Sequence, residues 1–150
     1  MSVSAPSLRS LPGANQRRGA ASASPELLRS LLVLAAAAAV AAAALCGDPA
    51  AVVRADPQLA FLLRGMALIK AAMVLATIAA FLWRFGHPVP RPTAAAYIAG
   101  TAVLAGASML IWQLAFIPLA ALGFHAAAFV VLVAAWRDGG AAAGLLRRAG

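Results

Sequence analysis

AAAYIAGTAVLAGASMLIWQLAFIPLAALGFHAAAFVVLVAAW, residues 94–136, runs for 43 residues without a formal charge. One helix of that length would rise about 65 Å, twice the roughly 30 Å hydrocarbon core of a bilayer, so the run divides into two spans. Pro118 is the only breaker inside it, and Trp112, Gln113 and Phe116 just before it are amphipathic groups that settle at headgroup level. The run therefore predicts a tight helical hairpin joining spans near 93–111 and 119–136.

Upstream, Asp56-Pro57 supplies a helix cap followed by a proline at the first helical position, and a long helix follows to about Arg84. At about 42 Å it exceeds the hydrocarbon core, so its first two turns lie in or above the interface. Trp83 closes its other end, and Pro88, Pro90 and Pro92 keep the next segment out of helix. Ser24-Pro25-Glu26 starts a further helix by the same logic, running to about Cys46 with Gly47 as its expected C′ residue, and Asp48-Pro49 repeats the cap signal. Because nine of the fifteen residues 31–45 are Ala, a cleaved signal peptide ending at Ala44 is the alternative to an uncleaved span. Residues 1–24 hold Arg9, Arg17, Arg18, several Ser and no acid, the composition of a disordered tail that also resembles an organellar transit peptide. Residues 137–150, rich in Gly and Ala, are expected to be a flexible tail.

Composition agrees with this division. With 64% hydrophobic residues, 11% charged residues and a mean hydropathy of +0.91, most of the chain has lipid as its solvent. One Cys excludes a disulfide scaffold. The net charge of +8 does not point to nucleic acid, because the basic residues are scattered over tails and short loops. Nine of the twelve Lys and Arg fall on one side if both termini and the 84–91 loop lie together, leaving Arg54, Arg64 and Lys70 opposite. The positive-inside rule then places both termini in the cytoplasm. The expected fold is an all-α membrane protein, a bundle of four transmembrane helices over residues 25–136, or three if the first is cleaved. The Ala- and Arg-rich composition suits the cytoplasmic (inner) membrane of a bacterium.

Candidate functional residues are few. Glu26, Asp48, Asp56 and Asp138 all fall outside the expected spans, which argues against a carboxylate-driven transporter. Lys70 is the one charge deep in a span; its side chain either snorkels outward or belongs to a polar seam. Met66, Lys70, Met73 and Thr77 share one helix face, and Tyr97, Thr101 and Ser108 share a face of the next helix. Two such stripes predict a common seam, reached from the last span by His125, with Gly100, Ala102 and Gly106 allowing close packing. His125 could instead hold haem iron or copper with Met66, Met73 or Met109 as partner, but one His without a spacing signature does not assign a metal, and no cofactor is expected.

Gly106-Ala107-Ser108-Met109 together with His125 offers the residue types of an intramembrane serine protease. Met109 stands where rhomboid-like proteases carry Gly, and four spans fall short of that family's six, so no catalytic residue is assigned. Cys46 is preceded by Leu45, too bulky for a lipoprotein signal, and reads as a small apolar residue. The expected role is a non-enzymatic accessory or assembly subunit, with the lipid bilayer and a membrane protein or second copy as partners. The alternatives are a haem- or copper-carrying electron-transfer subunit, and an oligomeric transporter or channel lined by Lys70, Thr77, Thr101 and Ser108.

Overall fold

The computed structural model of the protein describes residues 24–47 and 56–149, the last ten as backbone. The tail read over residues 1–24, apart from Ser24, and the Asp48-Pro49 cap lie outside the described residues. Four helices follow in order: α1 (Pro25–Leu45), α2 (Pro57–Arg84), α3 (Arg91–Trp112) and α4 (Ile117–Ala149). Each is long and apolar enough to cross a membrane, the candidate span of α4 being Ile117–Gly139.

The two starts read from sequence have the expected geometry. The Ser24 side chain accepts from the N–H of Leu27 at 3.3 Å, with Pro25 opening the helix behind it. Asp56 accepts from the N–H groups of Gln58 and Leu59 at 2.7 and 3.2 Å, ahead of Pro57. In both, a side-chain oxygen satisfies N–H groups that a helix leaves without an internal partner.

The stops differ from expectation in three places. Gly47 is not a left-handed C′ residue: α1 is capped by Cys46 in a right-handed conformation, and no described glycine has positive φ. The break between α3 and α4 is made by Leu114 and Phe116, with φ of 58° and 48°. The N–H of Leu114 donates to the Ile111 carbonyl at 3.0 Å and that of Ala115 to the Leu110 carbonyl at 2.9 Å, the paired bonds of a Schellman motif with leucine in glycine's usual place. Holding an L-residue there costs about 1–2 kcal/mol. Pro118, expected to be the breaker, sits in the first turn of α4, where its missing N–H removes no helical bond. The third difference is at the end of the chain: residues 137–149, read as a flexible tail, continue α4 as helix. No proline interrupts them, and Ala, Leu and Arg there are strong helix formers that offset Gly139, Gly140 and Gly144.

The helices do not form a square bundle. α3 packs against each of the other three, while α1 and α2 barely meet. In its most apolar stretch α3 is 56% buried, against 17%, 17% and 22% for α1, α2 and α4, so α3 is the hub and the others expose most of their surface. The buried stripes explain the arrangement. On α3, Tyr97, Thr101, Leu104, Ser108 and Ile111 alternate by four and three, and Gly100 and Ala107 extend the buried surface beyond that stripe. α2 meets the hub through Ala60, Ala67, Val74 and Phe81, one residue every seven. α4 uses Ala120, Phe124, Ala127 and Val131.

Backbones come close where α3 has no side chain. A Cβ on Gly106 would lie 3.3 Å from the Ala39 carbonyl of α1, and one on Gly100 would lie 2.5 Å from Cγ2 of Val131 on α4. Without a hydrophobic driving force between helices in lipid, such close packing is a main source of association.

Candidate functional site

The six residues expected to form a common polar seam are not brought together. The α3 members are indeed interior: Tyr97 is 2% exposed, Thr101 0% and Ser108 6%. The α2 stripe does not face them. Met66 and Met73 are more than half exposed, and Ala67 and Val74, one residue further on, occupy the position against α3. Small apolar side chains let the two backbones approach, which a lysine and two methionines in that position would prevent.

Lys70 and Thr77 belong instead to a second stripe that continues to Arg84, again one residue in seven. Both basic members of this stripe reach α4. The Lys70 ammonium lies 3.8 Å from the centroid of the Phe124 ring, a cation–π contact, and Arg84 pairs with Asp138. Each pair is separated by 54 residues, so α2 and α4 run in the same direction and in one register, joined through these long side chains. Lys70 therefore turns to the ring of a neighbouring helix, neither toward the α3 hydroxyls nor outward.

Three of the remaining candidates are satisfied within their own helices. Thr77 donates to the Met73 carbonyl at 2.8 Å, and Ser108 to the Leu104 carbonyl at 2.9 Å. His125, with the proton assigned to Nδ1, donates to the Ala121 carbonyl at 2.7 Å. Its side chain is exposed, so it does not bridge to Tyr97, Thr101 and Ser108. The Thr101 hydroxyl is buried without a hydrogen-bond partner. Among the described residues no three His, Cys, Asp or Glu side chains converge to hold a metal.

The best-developed polar cluster was not foreseen. Asp138, read as part of a tail outside the spans, lies on α4 and accepts from three donors: Arg84 Nε at 2.7 Å, Arg84 Nη2 at 3.0 Å and the Tyr97 hydroxyl at 3.3 Å. The two-nitrogen approach of Arg84 is the fork geometry that suits a carboxylate. Arg84 also donates weakly to the Pro88 carbonyl at 3.4 and 3.5 Å. Tyr97 stacks on Phe81 with centroids 4.1 Å apart and lies 6.3 Å from Phe85. One ion pair and one aromatic stack thus fasten α2, α3 and α4 at the same end of the molecule. The sequence held a signal: Trp83-Arg84 and Trp136-Arg137-Asp138 end two spans that run in the same direction.

Side chains from one helix also satisfy the ends of another. Arg29, in the first turns of α1, donates through Nε to the Leu82 carbonyl at 3.0 Å, placing a cation at the C-terminal end of α2. At the opposite end Gln113 donates through Nε2 to the Ala44 carbonyl at 3.1 Å, and it lies so close over Gly47 that a Cβ there would collide with it. Nearby, the Arg64 guanidinium lies 5.7 Å from the centroid of the Trp112 ring.

Apolar grooves open where the outer helices fail to meet. Between α1 and α2, two spaces of about 290 and 460 Å³ share Val40, Ala71, Ala105 and Ser108 and make one continuous groove floored by α3. Val33, Ala36 and Ala37 complete its α1 wall. A further space of about 500 Å³ lies between α1 and α4, with Gly106 and Gly123 among its lining. No protein-family model matches this chain, and no curated protein or solved structure is significantly similar to it.

Proposed function

We propose that the protein is a non-enzymatic assembly subunit of a membrane complex, receiving a transmembrane helix of a partner in the groove between α1 and α2. The groove itself carries the reading: Ala36, Ala37, Ala71, Ala105 and Ser108 line it, and they are the small residues that let a further backbone approach closely. The rest of the bundle supports it, because the Arg84, Asp138, Tyr97, Arg29 and Gln113 side chains fasten this chain's own helices to one another.

A photo-crosslinking phenylalanine analogue at Ala37 is expected to yield one discrete protein adduct in native membranes. The same analogue at Leu132, on an exposed face of α4, is expected to yield none. Ala71→Phe, which fills the groove, should remove the adduct at unchanged levels of inserted protein. Adducts of lipid size alone at Ala37, or the same protein adduct from Leu132, would count against the reading.

In this proposal the chain lies in the inner membrane of a bacterium with both termini in the cytoplasm, an orientation that the nine-to-three division of basic residues supports. Alkaline phosphatase fused after Gly150 should be inactive, and the same enzyme inserted after Gln113 should be active. The opposite pattern reverses the orientation.

A further inference from the structure

A separate groove of about 390 Å³ runs between α3 and α4 at the end that carries the Arg84–Asp138 pair, lined by Thr93, Ala96, Phe129, Val133 and Arg137 among others. Its composition is graded. Arg137 and Thr93 stand at the mouth, and the slot below them along α4 is apolar as far as Phe129, eight residues or about 12 Å along the helix. Trp136 and Trp83 are 80% and 73% exposed and lie at the same height in the α2–α4 register, as aromatic side chains do at a membrane interface. The mouth therefore sits at headgroup level and the slot descends from it into the hydrocarbon.

Among the described residues nothing neutralises the charge of Arg137 at the mouth. Asp138, the next residue, is committed to Arg84 and Tyr97. Among the described residues no carboxylate pairs with Arg137. The first turn of α3, which borders the mouth, has no side-chain cap on its N–H groups and so adds to the positive field there.

We infer that this groove binds an anionic phospholipid of the surrounding leaflet, its phosphodiester against Arg137 and the Thr93 hydroxyl and one acyl chain along Ala96, Val133 and Phe129. A partner helix would fill the apolar slot but leave the cation at headgroup level unanswered. A phospholipid with net negative charge answers both, and basic grooves between spans are a recurring form of headgroup recognition.

The full-length protein, taken from vesicles of equal phosphatidylglycerol and phosphatidylcholine into mild detergent, should retain phosphatidylglycerol about fivefold over phosphatidylcholine, by mass spectrometry of the co-purified lipid. Arg137→Gln should bring that ratio to near one, while Arg137→Lys should keep most of it. Ala96→Phe, which narrows the slot, should lower it with the charge intact. Arg64→Gln removes the same unit of charge at the opposite end and should leave the ratio unchanged. Retained lipid no richer in phosphatidylglycerol than the vesicles would overturn the proposal, as would an equal loss in Arg64→Gln. Displacement of the lipid by millimolar inorganic phosphate would overturn it too, since the site would then recognise the free anion.

Discussion

Asp138→Leu is expected to destabilise the bundle by about 3 kcal/mol, because it strands the Arg84 guanidinium in a site where 25% of that side chain is exposed. Arg84→Met should cost a similar amount by stranding Asp138, which is 10% exposed. The double variant decides what the pair contributes. Replacing both charges with apolar groups of similar size removes the desolvation cost along with the attraction, so it should cost less than either single change, about 1 kcal/mol. Tyr97→Phe loses only a long 3.3 Å bond and keeps the stack on Phe81, so a cost below about 1 kcal/mol is expected. Unfolding by SDS titration in mixed micelles, followed by helical circular dichroism, measures all four. If the double variant costs the sum of the two singles, the residues are not coupled and the ion pair does not fasten the helices.

What could be read from the residues and what could not follows a physical division. Ser24-Pro25 and Asp56-Pro57 were legible as helix starts because a cap depends on atoms within three residues of one another. The hairpin near Gln113 was legible from its amphipathic groups. The agent of the break was not, because a left-handed leucine has no sequence signal comparable to proline or glycine. The polar seam failed for a different reason. Periodicity places Lys70 and Thr77 on one face of a helix but is silent on which neighbour that face meets, and here the neighbour is α4. The Arg84–Asp138 pair lay further out of reach. Its formation needs α4 to continue past Trp136 and to share one register with α2, and neither condition is local. His125 shows the complementary error: a polar residue within a span need not face inward when its own helix offers a carbonyl at 2.7 Å.

Gly100 tests the hub directly. A Cβ there would come within 2.5 Å of Val131 Cγ2 and 3.7 Å of the Ala127 carbonyl, and valine in a helix has essentially one χ1 rotamer, so the methyl cannot simply rotate away. Gly100→Ala sets the better helix propensity of alanine, about 1 kcal/mol, against overpacking of about 1–3 kcal/mol, and overpacking should win by about 1 kcal/mol. Gly100→Leu cannot be accommodated without separating α3 from α4. It should cost about 3 kcal/mol or more, since Tyr97, less than one turn away, would then also lose Asp138. Val131→Ala should restore Gly100→Ala to nearly wild-type stability, which a loss due to backbone flexibility alone would not allow. Gly106→Ala should be milder: its Cβ would approach the Ala39 carbonyl at 3.3 Å, a contact that a shift of a few tenths of an ångström relieves. If Gly100→Leu unfolds in the same SDS titration at the wild-type midpoint, α3 and α4 do not pack through Gly100 and Val131, and α3 is not the helix on which the others are assembled.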